Sequence, residues 1–263
     1  MMQPVLLPVL FGALAALAPH LAAQFTPPTA GVIRTAAGQL RIVHGVSGNF
    51  VAGDVLRVVD VLASTFDSSG GLIHVEGAVL QVDRSGAEVA RHEVPEGPAI
   101  LSASGRAAYF VENHSVLSFA GAVRQTALPE VEGTVLALSA SAIEISLAVR
   151  SKSGEAKLLR FDARGFLTGT EALPGTGGPI LLLSAGLVYV EDRSIIWLDF
   201  TSGVERRWNL DSAPATLLAM GEGWLQAGEW AVRLDRDPVF ALPAVGEEPA
   251  TRLASSAGRG TVR

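Results

Sequence analysis

The sequence predicts an all-β fold, specifically a small β-propeller of five or six four-stranded blades. Four strand-like runs end alike, in an apolar residue followed by proline: Val94-Pro95, Leu128-Pro129, Leu173-Pro174 and Leu242-Pro243. With a related break at Leu210-Asp211, these ends recur every 32–45 residues or so, close to the length of a propeller blade. The chain also has 28 Gly and 14 Pro, and its apolar residues alternate between turns without a sustained helical period.

Five repeats follow from these ends, over residues 58–95, 100–129, 134–174, 180–211 and 215–243. The second strand of three repeats ends in Val-Glu before a turn residue. In the first, third and fourth repeats the third strand ends in Asp, and a Gly follows within four residues: Asp83 and Gly86, Asp162 and Gly165, Asp199 and Gly203. Because Asp bonds turn amides and Gly accepts a positive φ, this pairing predicts short hairpins.

A further hairpin is predicted before the repeats. Its strands are 32–34 and 40–43, and its turn is 36–38. Two roles for it remain open: it completes a sixth blade, or it supplies a strand that latches the ring. In either case, stacking small sheets around an axis buries faces that no single sheet can cover alone.

Composition bounds the class of protein. The 263 residues are 49% hydrophobic and 17% charged, enough to bury a full core. The net charge of −6 argues against nucleic-acid binding, which draws on clustered basic residues. The chain has no cysteine, which excludes disulfides, thiol catalysis and thiolate metal sites.

Four segments are predicted along the chain: a signal peptide over 1–24, a linker over 25–30, the propeller domain over 31–243 and a flexible tail over 244–263. The apolar run 5–18 and the small residue Ala23 are typical of an export signal. The protein is therefore expected in the periplasm or outside the cell. The alternative is an uncleaved anchor, which would be its one attachment to a membrane.

The fourth repeat carries the segment Ile195-Ile196-Trp197-Leu198-Asp199-Phe200-Thr201-Ser202-Gly203, followed by Trp208. It resembles the repeat of quinoprotein-like (PQQ-like) bacterial β-propellers, in which an apolar strand, Asp, a Thr-Gly turn and a later Trp recur. Here Ser202 separates the Thr from the Gly, and the other repeats keep just the Asp-to-Gly turn. The resemblance implies a propeller of the cell envelope. It does not imply a bound quinone, and no cofactor is expected.

An acidic face is the predicted binding site. Glu76, Glu112, Glu191 and Glu229 occupy equivalent positions after the second strand of their repeats. In a propeller these turns share a face with the links between blades, which add Glu96, Glu130, Glu132 and Asp211. A ring of carboxylates around the channel would attract a cation or a basic partner. Alternatively, the same residues are solvated and keep strand edges from pairing with other chains.

Other candidate residues favour structural roles. His74 and Glu76 share a strand face, and Glu112 and His114 share a turn, but neither pair makes a metal site, and both are expected to face solvent. Tryptophans 197, 208, 224 and 230 suit packing between blades better than a platform for sugar or peptide. No catalytic residue and no metal ligand is predicted, since nucleophile and phosphate-loop motifs are absent.

Three functions remain open. The leading hypothesis is a non-enzymatic, monomeric binding or scaffolding module of the cell envelope, whose partner is a protein or a small-molecule ligand. The alternative is a small propeller hydrolase or lyase acting on a sugar or lactone, for which dependence on Ca²⁺ is left open. The third is a purely structural surface protein.

Overall fold

The computed structural model describes residues 28–46, 48–174, 177–221, 223–235 and 239–243. Every regular element in these ranges is a β-strand, which confirms the all-β prediction. The described residues contain no helix long and apolar enough to cross a membrane. The predicted signal peptide and the predicted C-terminal tail lie outside the described residues.

An N-terminal sheet precedes the repeats and consists of β1 (Thr29–Arg34), β2 (Leu40–Val46) and β3 (Asn49–Val55). The first repeat contains β4 (Ala63–Phe66), β5 (Gly70–Val75), β6 (Ala78–Asp83) and β7 (Glu88–Glu93). The second contains β8 (Ala99–Leu101), β9 (Ala107–Phe110), β10 (Ser115–Ser118) and β11 (Arg124–Ala127). The third contains β12 (Thr134–Ala140), β13 (Glu144–Arg150), β14 (Ala156–Asp162) and β15 (Leu167–Ala172).

The fourth repeat contains β16 (Ile180–Leu183), β17 (Gly186–Glu191), β18 (Ser194–Asp199) and β19 (Glu205–Asn209). The fifth contains β20 (Leu217–Gly221), β21 (Trp224–Ala227), β22 (Trp230–Arg233) and β23 (Phe240–Ala241). Each repeat is an antiparallel meander in chain order. The first strands of successive repeats contact one another, and β20 contacts β4. The first strands therefore line the axis of a β-propeller.

The predicted number of blades is wrong. The second, third and fourth repeats form separate four-stranded sheets, but the first and fifth share one eight-stranded sheet. They are joined by a parallel bridge between Met220 of β20 and Phe66 of β4. The described strands thus form four blades, with the three-stranded N-terminal sheet beside them, where five or six separate blades were predicted.

The apolar residue before each proline makes the last hydrogen bond of its outer strand. The amides of Val94, Leu128, Leu173, Leu210 and Leu242 donate to carbonyls at or next to the second turn of their own repeats, those of Gly77, His114, Ala156, Arg193 and Glu229. The next residue is proline in four cases, and it ends the strand because proline has no amide hydrogen. Leu128, Leu173 and Leu210 are buried in clusters shared with the following repeat.

The Asp-to-Gly turns are confirmed. Asp162 Oδ1 accepts hydrogen bonds from the amides of Arg164 at 2.9 Å and Phe166 at 3.0 Å. Gly165 adopts φ +89°, a conformation that glycine tolerates without a steric penalty. Asp83 and Asp199 make equivalent bonds at the ends of β6 and β18.

The predicted N-terminal hairpin is confirmed as β1 and β2, but β3 was not predicted. β1 begins at Thr29, inside the predicted linker 25–30, because Thr29 already pairs with His44. The sheet covers the seam between the last and first repeats. One apolar cluster joins it to the fifth repeat and another joins it to the first. The hairpin therefore neither completes a four-stranded blade nor adds a strand to one.

Large side chains fill the space between sheets. Trp208 and Trp224 are buried, and Trp197 and Trp230 pack against the cluster between the fourth and fifth repeats. This confirms the packing role predicted for the tryptophans.

At the rim, the outer strands β3, β7 and β15 each carry a register shift. Such bulges hinder pairing with strands of other chains.

Candidate binding face

One end of the propeller collects the turns between the second and third strands of each repeat together with the links between repeats. We call this end the linker face, and the opposite end the hairpin face. The five hydrogen bonds from strand-ending amides to the second turns hold the linker face together. Its turns begin at Glu76, Val111, Ser151, Asp192 and Gly228.

Charge differs between the two ends. The described turns and links of the linker face contain two basic residues, Lys152 and Arg193, and these acidic ones: Glu76, Glu96, Glu112, Glu130, Glu132, Glu155, Asp192, Asp211 and Glu229. The described turns of the hairpin face in the five repeats, counted with the aspartates that begin them, contain Asp67, Asp83, Asp162, Asp199 and Asp235 with Arg84, Arg106 and Arg164. Acidic residues therefore exceed basic ones at both ends, and the excess is much larger on the linker face.

The four predicted site residues all lie at the linker face, and all four are exposed. Glu191 Oε2 pairs with Arg207 Nη2 at 2.7 Å, which stabilises the charged form of Arg207 and raises its pKa. The Glu112 carboxylate lies against Gly97 in the link that follows the first repeat. Within the described residues, Glu76, Glu112 and Glu229 form no ion pair.

Two hollows open on the linker face. One of about 590 Å³ lies between the N-terminal sheet and the fifth repeat, and Glu229, Arg34 and Gln226 line it. The other, of about 880 Å³, lies between the link 130–133 and the third repeat. Glu130 and Glu132 line the second hollow together with Lys152 and Lys157, the two lysines of the chain. Both hollows are large enough to receive side chains of a partner.

The histidine predictions are wrong in part. His74 does not face solvent: it is fully buried in β5, with its ring edge-on to Phe110 of the second repeat at 6.0 Å. Burial lowers its pKa. His114 is half-buried, and its Nδ1 lies 3.2 Å from the Tyr109 hydroxyl. Glu76 and Glu112 are exposed, as predicted.

No group of three or more His, Asp or Glu side chains in the described ranges is arranged to hold a metal ion. A Ca²⁺-dependent enzyme needs several converging oxygen ligands. The described acidic residues of the linker face are instead spread over separate turns. What this arrangement can do is present a broad negative surface with two hollows to a positively charged partner.

Sequence reasoning missed the lysine-containing hollow because Lys152 lies in the one long second turn, residues 151–155, of a repeat without the Val-Glu signature. It also missed Gln226, a buried polar residue of β21 that bonds the backbone of Arg34. Glutamine inside a strand pattern carries no signal of such a partner. Composition shows that Lys152 and Lys157 are the two lysines of the chain, but it does not place them in one hollow.

No protein-family model and no curated protein matches the chain. Solved structures of similar fold include BamB from Moraxella catarrhalis, 16% identical, covering 79% of this chain and 71% of that chain with a TM-score of 0.36. A protein of unknown function from Bacteroides caccae is 14% identical over 76% of this chain and 82% of that one, TM-score 0.44. The computationally designed Ika8 protein is 12% identical over 81% and 86%, TM-score 0.42. At these values, the similarities assign neither family nor function.

Proposed function

We propose that this protein is an exported, non-enzymatic β-propeller that binds a basic protein partner through its linker face. The observation that carries the proposal is the charge contrast between the two ends, since the excess of acidic over basic residues is much larger in the turns and links of the linker face than in the hairpin-face turns. The two hollows on that end can receive side chains of the partner. Scaffolding in the cell envelope is the corresponding role, and we expect the propeller to act as a monomer.

Export is supported by the apolar run 5–18 and by the PQQ-like resemblance of the fourth repeat. N-terminal sequencing of the protein recovered from the periplasm or medium tests this part. A mature chain that begins after residue 23 or 24 supports export with cleavage. A chain that stays in the cytoplasm with its first residues intact contradicts it.

A cationic peptide tests the binding face directly. The probe is a 20-residue Lys/Arg-rich peptide, titrated by fluorescence anisotropy at low and physiological salt. We expect saturable binding that weakens with salt, because exposed charges are screened. The triple change Glu76→Gln, Glu112→Gln and Glu229→Gln should weaken binding about tenfold, at a few tenths of a kcal/mol or more per lost charge pair.

The matched control removes the same charge elsewhere: Glu88→Gln, Glu144→Gln and Glu205→Gln, three residues at strand starts on the hairpin face. Its effect on affinity should be less than about twofold. Equal losses in the two triple variants would show that the peptide responds to net charge alone. That result, or no saturable binding by the unchanged protein, overturns the proposed function.

A further inference from the structure

A separate hollow opens at the axis on the hairpin face. Its volume is about 490 Å³, within the range of small-molecule sites. Residues of the first, second, fourth and fifth repeats line it, including Phe66, Leu183, Ala219 and Trp224. Because Ala103 of the second repeat and Leu183 of the fourth, which are not neighbouring repeats, both line it, the hollow lies at the axis and is the mouth of the channel. Its wall is mostly apolar, with glycines at 221 and 223.

Among the described residues of this wall, Asp67 is the acidic one. Its Oδ1 accepts hydrogen bonds from Ser69 N and Ser69 Oγ, both at 2.6 Å, and from Gly70 N at 3.1 Å. These bonds hold the carboxylate in one orientation, so a ligand would find it already placed. The other oxygen, Oδ2, lies 3.8 Å from Arg106 Nε, beyond the usual length of a hydrogen bond.

Arg106 would compete only weakly with a ligand for Asp67 Oδ2. The Arg106 side chain is 60% exposed, whereas that of Asp67 is 21% exposed. An exposed arginine at this distance adds little free energy and is readily displaced. Asp67 therefore offers a half-buried, oriented negative charge beside an apolar hollow. The partner that complements this combination has one positive charge that donates hydrogen bonds, and an apolar body.

We propose that the channel mouth binds a small amphiphilic amine: an ammonium group on Asp67 Oδ2 and an aromatic or aliphatic body against Phe66, Leu183 and Trp224. This site lies at the opposite end from the linker face and does not depend on the function proposed there. The proposed ligand is a small molecule rather than a protein, because the hollow holds only a few side-chain volumes.

The test uses 2-phenylethylammonium as probe and 3-phenylpropionate as its anionic counterpart. Binding is followed by saturation-transfer NMR and by titration with intact protein. We expect saturable 1:1 binding of the amine and at least tenfold weaker binding of the carboxylate. Asp67→Asn retains an oxygen to accept the Ser69 and Gly70 bonds but loses the charge. It should raise the Kd of the amine about tenfold, the usual scale for a charged hydrogen bond.

The matched control is Asp162→Asn, which alters the same kind of turn in the third repeat and does not line the hollow. It should change the Kd less than twofold, and circular dichroism should show both variants folded. The proposal is overturned if the unchanged protein shows no saturable binding, if both probes bind equally, or if Asp67→Asn binds the amine as well as Asp162→Asn does.

Discussion

The side-chain amide of Gln226 bonds both backbone groups of Arg34, a residue 192 positions away in the sequence. Gln226 Oε1 accepts the Arg34 amide hydrogen at 2.8 Å, and Gln226 Nε2 donates to the Arg34 carbonyl at 2.9 Å. The guanidinium of Arg34 in turn donates to the carbonyls of Val61 and Leu62. Arg34 therefore connects the last repeat to the entry of the first.

Replacing Gln226 with Met tests this connection. The volume stays similar, but the amide and carbonyl of Arg34 lose their partners. We expect the free energy of unfolding to fall by about 2 kcal/mol, since unsatisfied backbone groups are costly. Urea unfolding measures it. The control Gln125→Met alters an exposed glutamine of β11 and should cost less than about 0.5 kcal/mol. Equal stabilities of the two variants would contradict the role given to Gln226.

Gly31 tests how closely β1 approaches β20. A Cβ atom at Gly31 would collide with the backbone carbonyl of Met220. Gly31→Ala should therefore cost about 3 kcal/mol or more, because a backbone cannot yield as a flexible side chain can. At Gly77, where φ is +69° and a Cβ would meet nothing, the same change should cost only about 1 kcal/mol. Thermal unfolding that ranks the two variants in the opposite order would contradict the packing described at the seam.

Replacing Leu173 tests whether the apolar residue before the proline at the end of a repeat contributes to packing between repeats. It is 8% exposed and belongs to the cluster between the third and fourth repeats. Leu173→Ala should reduce the free energy of unfolding by about 2–5 kcal/mol through lost burial and a cavity. Leu167→Ala, on the outer strand just before it, removes the same atoms from a side chain that is 54% exposed and should cost less than about 1 kcal/mol. Similar losses would show that Leu173 is not a packing residue.

The buried imidazole of His74 predicts a pH dependence. Burial lowers its pKa below the ordinary value of 6.5, so the unfolded chain binds this proton more readily than the folded protein. The stability linked to His74 is therefore complete above about pH 6.5 and is lost as the pH falls toward the folded-state pKa. His74→Leu should make the free energy of unfolding less dependent on pH between 6.5 and 5. An unchanged slope in that variant would contradict the assignment.

The repeat boundaries could be predicted because each end has a local physical cause. An apolar residue fills the space between sheets, and the proline after it cannot extend the strand. The Asp-to-Gly turns were predictable for the same reason, since the hydrogen bonds of the Asp carboxylate and the positive φ of the Gly both lie within a segment of five residues. The acidic turns could also be placed on one end, because a meander returns every second turn and every link to the same side.

The closure of the ring could not be predicted. Phe66 and Met220 are far apart in the sequence, yet they form the parallel bridge between β4 and β20. Neither residue type indicates such a bridge. β3 was missed because Gly53 and Asp54 interrupt its apolar pattern; in the structure they lie at the register shift with β2. His74 was misassigned because its neighbour Glu76 is exposed. Strand alternation alone does not show that a second sheet covers that face.

The methyl group of Met220 gives the most direct test of the seam. Apart from Met1 and Met2, it is the one methionine of the chain, so methyl labelling gives a resonance that is simple to assign. Met220 shares a buried cluster with Ile33 and Val43 of the N-terminal sheet and with Trp224. Nuclear Overhauser effects from the Met220 side chain to Gly31, Ile33 or Val43, together with effects to Phe66, are predicted. Effects confined to residues of the fifth repeat would contradict the closure of the propeller described here.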